Sequence, residues 1–157
     1  MYHLTRQYDM SIAAAERALA IDPNLALGHF SMAVALTSSG KPAEAVVAAR
    51  KAMRLDPTNR DFYSLFEGIA YTVMGSYNEA ISPLKRYLAR YSNGVGAHLD
   101  LIACYVELGR NEEARTEAAE VMRINPPILF GSAKAISAFK EPLRDRLYGD
   151  MAKAGLK

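Results

Sequence analysis

Apolar and small positions along the chain recur with a period of 34 or 35 residues. Gly40, Gly75 and Gly109 lie 35 and 34 residues apart. Four residues before each glycine stands a large side chain, Leu36, Tyr71 or Tyr105. Five residues after each stands Ala45, Ala80 or Ala114, and seventeen after come Pro57, Ser92 and Pro126. Pro23 lies 34 residues before Pro57 and carries the register back through Ala18, Ser11, Tyr8 and Tyr2. Agreement at four positions over three and a half periods is poorly explained by chance, and such self-similarity marks an array of stacked units.

Each period predicts two helices. Residues 26–38 hold no breaker except one glycine, and residues 42–55 are alanine-rich and end at Asp56-Pro57. Pro42 sits where a first helical turn tolerates it, because its missing N–H would be unpaired anyway. Gly40 permits a left-handed exit from the first helix. The alanine five residues on marks a close helix crossing, where a larger side chain would push the pair apart. The Leu or Tyr before the glycine fills the space between helices. The proline ends the second helix by lacking a donor and crowding the preceding turn.

The phrases "AYTVMGSYNEAI", "CYVELGRNEEA" and "RALAIDPNLALGHF" resemble the tetratricopeptide repeat. That resemblance covers residues 1–126 and implies an all-α fold, a right-handed superhelix of antiparallel helix pairs. The expected division is a half repeat over 1–23, full repeats over about 26–59, 61–94 and 95–127, and a C-terminal helical cap over 128–157. Three departures stand out: Ser92 replaces proline, the Thr58–Asp61 linker holds one extra residue, and Pro42 stands where Tyr77 stands in the next repeat. A repeat fold specifies function only weakly.

The two ends depart from the period. At the N-terminus only Met1 to Thr5 would remain of a first helix. A second helix from about Tyr8 to Ile21 would then show Tyr8, Ile12 and Leu19 to water. Solenoids usually cap such a face with polar residues. The expectation is a fragment of a longer protein, or a homo-oligomer formed through Tyr8 and Ile12. After Pro126-Pro127 a short helix is predicted over 128–138 and another from Pro142 to about Ala154, with Leu143, Leu147 and Met151 on one face. A cap over the last repeat is the simpler reading, and a docking helix is the alternative. The stretch "FKEPLRDRLYGDMAKAGLK" and the phrase "LALGHFSMAVALTSSGKPAEAVVAARKAMRLDP" resemble the C-terminal repeat regions of bacterial class III adenylate/guanylate cyclases. This implies a regulatory or partner-binding tail of a signalling protein, with no cyclase catalytic segment present.

Composition narrows the function classes. Of 157 residues, 50% are hydrophobic, with nine Tyr and no Trp, a mixture suited to repetitively packed helix pairs. Net charge is only +2; residues 1–126 carry 13 Lys and Arg against 14 Asp and Glu, and residues 127–157 carry 6 against 3. A nucleic-acid partner would call for a denser basic face, so none is expected. The longest uncharged stretch, Pro23 to Gly40, is broken by Asn, His, Ser and Thr and is not expected to span a bilayer. The one cysteine, Cys104, supports neither a disulfide framework nor a Cys-based zinc site. It fits a reducing compartment, with a cytoplasmic location expected.

Candidate chemistry is sparse. His3, His29 and His98 are spread out, with no second ligand at i+3 or i+4, so no metal or cofactor is expected. His29 and His98 fall at nearly equivalent repeat positions and read as packing residues. Cys104 reads as a small core residue. Gly94-Val95-Gly96 lacks the strand and the Lys-Ser/Thr ending of a phosphate loop. Glu112-Glu113 reads as a helix start, favoured by the backbone dipole. No enzyme signature emerges.

What remains is the groove that the tetratricopeptide resemblance implies. There the first helix of each repeat lines a concave face, and Leu27, Phe30, Val34, Phe62, Leu65, Ile69 and Leu99 are the expected binding residues. That surface lacks the Lys and Asn that clamp carboxylate-ended peptides in co-chaperone arrays. It suits a protein or peptide with an apolar segment or helix face. The competing reading is that these residues touch the chain's own helices. A free-standing scaffold that self-assembles end to end is the alternative function.

Overall fold

The computed structural model describes residues 2–124, with side chains described from Tyr8 onward. The helices predicted over 128–138 and from Pro142 lie outside the described residues. Within them the chain forms α1 (Tyr2–Ile21), α2 (Ala26–Ser38), α3 (Pro42–Leu55), α4 (Arg60–Met74), α5 (Tyr77–Arg90), α6 (Val95–Glu107) and α7 (Asn111–Ile124). A single 3-10 turn, Pro57–Asn59, absorbs the extra linker residue between α3 and α4.

The glycine signals become three copies of one turn. Gly40, Gly75 and Gly109 have φ of 82°, 80° and 72°, in the left-handed region. In each turn the next N–H closes back across the helix end. Lys41 N–H donates to Leu36 O at 2.8 Å, Ser76 N–H to Tyr71 O at 2.9 Å, and Arg110 N–H to Tyr105 O at 2.8 Å. Otherwise unpaired carbonyls of the helix end are satisfied in this way, and the chain reverses into the next helix. Ala45, Ala80 and Ala114 follow five residues on and are fully buried at the crossings. The repeated large residue therefore has two roles: its backbone receives the closing bond and its side chain fills the interhelical space.

Successive helices pack antiparallel: α2 on α3, α4 on α5, α6 on α7, with α3 on α4 and α5 on α6 joining the pairs. α2 also touches α4, and α4 touches α6, so the first helices of the pairs stand side by side. The core is correspondingly serial. One cluster centres on Ala33, Leu36, Ala45 and Ala49, another on Leu84, Leu101, Ile102 and Tyr105. Tyr71 packs against both and joins them. The result is an all-α solenoid of antiparallel helix pairs, the architecture that the tetratricopeptide resemblance implies.

The N-terminal expectation needs correction. No break separates residues 2–5 from a helix starting at Tyr8, because α1 runs uninterrupted from Tyr2 to Ile21. The register position of the turn glycine is occupied by Arg6, and without glycine nothing favours a left-handed exit there. Nor is the expected apolar face bare. Ile12 is half-buried against the cluster around Ala33 and Leu36. Leu19 lies so close over α2 that a Cβ on Gly28 would sit 2.8 Å from its Cδ2. Tyr8 is half-buried as well. Among the described side chains of α1, the large apolar ones that face solvent are Met10 and Ile21.

Candidate functional site

The seven groove residues all lie on the first helices of the pairs, α2, α4 and α6, but they divide into two groups. Leu27 (58% exposed), Val34 and Phe62 (36% each) are open to solvent. Phe30, Leu65, Ile69 and Leu99 are half-buried. Leu65 and Leu99 pack against the cluster of Leu84, Leu101 and Tyr105. Phe30 packs against Ala52, Met53 and Tyr63. A strip of alternating open and seated apolar groups is thus what the fold presents. Val73 and Met74 extend the open part at the C-terminal end of α4.

The sequence reading missed an aromatic ridge along this strip. Phe30 meets Phe66 edge-on at 4.7 Å between ring centres and lies 5.6 Å from Phe62. Phe62 reaches Tyr91 at 6.5 Å, and Tyr91 stacks on Tyr87 at 4.9 Å. Phe66 follows Phe62 by one helical turn, a spacing that was visible. Tyr87 and Tyr91 end the second helix of their pair, which the offsets from the glycines did not reach. Edge-to-face and offset aromatic pairs add directional packing beyond area burial, so these rings hold α2, α4 and α5 together as well as shaping the surface.

Polar groups fix the strip from behind. Arg50 Nε donates to Glu67 Oε1 at 2.7 Å and its Nη2 to Tyr71 Oη at 2.8 Å, tying α3 to α4. Glu67 is buried, so this bond compensates a desolvated carboxylate. His29 Nε2–H donates to Pro23 O at 2.9 Å, and His98 Nε2–H to Ser92 O at 3.0 Å, each ring closing the bend before its own helix. His98 Nδ1 also faces Glu117 Oε2 at 2.6 Å. Both ring nitrogens of His98 then face acceptors, and the Glu117 bond lifts its pKa above the ordinary imidazole value against the cost of burial.

Two buried groups carry no reactive arrangement. Burial pushes the Cys104 thiol up to about 11, beside the Thr72 hydroxyl at 3.5 Å. A thiol so held is a poor nucleophile. Desolvation raises the Asp100 carboxyl to about 7. Glu113 pairs with Arg110 and Glu112 with Arg115 on the α7 surface. Among the described residues, no group of three or more His, Cys, Asp and Glu side chains could hold a metal ion. Among them, too, no helix is long and apolar enough to cross a membrane.

At the α1 end the strip opens into a groove of about 640 Å³ between α1 and α2, lined by Tyr8, Ala14, Ala18, Leu27, Phe30 and Val34 among others. The groove gathers three of the seven expected residues and Tyr8, but not Ile12.

Comparison with known proteins places this geometry. Two families, each described as tetratricopeptide repeat, match residues 28–59 and 73–136. No curated protein matches the chain. Among solved structures, one described as the crystal structure of MamA is 21% identical, with a TM-score of 0.71, and the match covers 94% of this chain and 88% of that one. A second, described as the crystal structure of MamA protein, is 23% identical with a TM-score of 0.71, covering 94% of this chain and 81% of that one. At such identities the likeness is one of fold.

Proposed function

Because this chain is a tetratricopeptide-repeat solenoid, we propose that it acts as a protein-interaction module that docks an apolar segment of a partner along the first-helix strip. The observation that carries the reading is the row of exposed Leu27, Val34, Phe62 and Val73 on helices that stand side by side. Leu27, Val34 and Phe62 are three of the expected binding residues; Phe30, Leu65, Ile69 and Leu99 support them from half-buried positions. The strip offers no cation at these places, so an acidic peptide would lose water there without gaining a partner. An apolar helix face or extended segment gains by burial, at roughly 25 cal/mol per Å² before ordering costs.

The test uses peptides selected by display against the folded chain. Replacing Val73 or Met74 with Glu should weaken their binding by at least about tenfold, since either buries a charge under the ligand. Helical circular dichroism should be unchanged, because both side chains are already exposed. Selected peptides that bind both variants as well as the parent would sink the reading. A narrower placement, as the regulatory tail of a cyclase-like signalling protein, rests on the sequence resemblance in residues 25–57 and 139–157 alone.

A further inference from the structure

The groove between α1 and α2 has a register, and the register says what it fits. Leu27, Ser31 and Ala35 line its α2 wall. Their counterparts 35 residues later are Phe62, Phe66 and Ala70. In α4 these residues lie toward the preceding first helix, α2: Phe62 and Phe66 meet Phe30, and Ala70 shares a cluster with Ala33 and Leu36. Ala14, Ala15 and Ala18 line the α1 wall. Their counterparts 34 residues later are Ala48, Ala49 and Ala52. Those three also pack on α2, the first two beside Ala33 and Leu36 and the third beside Phe30. Both walls therefore hold the register positions of the two surfaces between which α2 is seated, with alanine repeated at four of them and Leu27 and Ser31 standing where Phe62 and Phe66 stand.

We propose that this groove, which continues the first-helix strip at its α1 end and shares Leu27, Phe30 and Val34 with it, is a helix seat and that it takes an amphipathic helix from a partner protein. The chemistry of the occupant follows from the helices that fill the equivalent seats. α2 presents Ala33 and, three residues on, Leu36; α4 presents Gly68 and Tyr71. The facing residue on the second helix sets how small the first must be. Leu84 faces Gly68 so closely that a Cβ there would sit 2.6 Å from its Cγ. Ala49 shares a cluster with Ala33, and the α1 counterpart of Ala49 and Leu84 is Ala15. Alanine opposite alanine is accommodated, so the ligand is a helix with alanine at its centre and leucine or tyrosine three residues later. The lining side chains are apolar or hydroxyl-bearing, so that contact face is uncharged, because a buried charge there would find no partner. Among the described residues, α2, α4 and α6 are already packed in their own pairs, so none of these helices of a second copy is free to fill the seat.

The probe is a fluorescent synthetic peptide with the sequence of residues 26–39, flanked by lysines for solubility, titrated into the full chain. Saturable binding is expected. It should weaken by at least about tenfold with Ser31→Arg or Ala14→Arg, which place a long cation in the seat. Both sites are exposed, so folding should survive, and circular dichroism checks that. A peptide carrying Ala33→Glu should fail to bind. Val73→Glu, on the strip beyond the groove, should leave peptide binding intact, which separates this site from the rest of the strip. Absence of saturable binding, or binding indifferent to both groove variants, overturns the proposal. So does a concentration-dependent dimer of the chain that Ser31→Arg dissolves in sedimentation, because the occupant would then be a second copy.

Discussion

Glycines in this chain do two different jobs. Gly75 has φ of +80° and open space where a Cβ would point, so its constraint is purely conformational. Gly75→Ala should cost about 1–2 kcal/mol, the penalty of a left-handed L-residue. Gly75→Asn should cost less, since Asn tolerates that region. Gly68 is an ordinary helical residue whose constraint is steric: a Cβ would lie 2.6 and 2.7 Å from Leu84 Cγ and Cδ2. Gly68→Ala should therefore cost about 1–3 kcal/mol through overpacking. Urea denaturation should show its cost shrinking in a Leu84→Val background, while that of Gly75→Ala stays the same. Gly40, Gly75 and Gly109 were legible because a helix-ending turn is local and recurs. Gly68 was not, because its reason lies on another helix. The same distinction separates the groove residues. Leu27 and Phe62 were legible as a surface from their offset to the glycine. That Leu65 and Leu99 lean into the α5–α7 core depends on how the pairs stack, which no offset encodes.

Helix α6 shows what a single element can conceal. Its boundaries follow from Gly94 before it and Gly109 after it, yet two titrating side chains adjoin it in ways the sequence did not announce. Asp100 has its pKa raised to about 7 by burial, above the unfolded value near 4. The folded state thus holds a proton that the unfolded chain gives up earlier, and stability falls as pH rises from about 4 through about 7. His98 is also raised, through Glu117 of α7, with Glu120 adding in the same sense. Its contribution is complete below the unfolded value near 6.5 and is lost as pH climbs through the higher folded value. Both groups make the fold weaker at pH 8 than at pH 5. Thermal melts across that range should show it. Asp100→Asn should flatten the lower part of the decline and stabilise the protein at pH 8 by about 2–4 kcal/mol. His98→Gln should flatten only the upper part. A melting temperature that rises with pH in the parent would contradict both assignments.

At the scale of the whole array, stability is a chain of neighbour contacts rather than one core, and helices differ in how many neighbours hold them. α4 packs against α2, α3, α5 and α6, whereas α1 packs mainly on α2. In a solenoid each unit's stability is its own plus that of its interfaces, so α1 should open before α4. Amide hydrogen exchange should show α1 exchanging by local opening, at a free energy well below that of α4. Leu19→Ala, which strips the contact over Gly28, should accelerate exchange in α1 by a further ~2 kcal/mol or more while leaving α4 unchanged. If α1 and α4 exchanged together, the array would be one cooperative unit and this account would fail. The asymmetry bears on the helix seat. α1 forms one wall of a groove whose occupant would supply the neighbour that α3 has in α2. A helix bound there should raise protection in α1 far more than in α4, because ligand binding stabilises the state that holds the site. Exchange with and without the peptide therefore reads position and energy together: protection gained along Ala14 to Ala18 locates the ligand in the groove between α1 and α2, and protection gained instead around Phe62 and Val73 would place it on the strip.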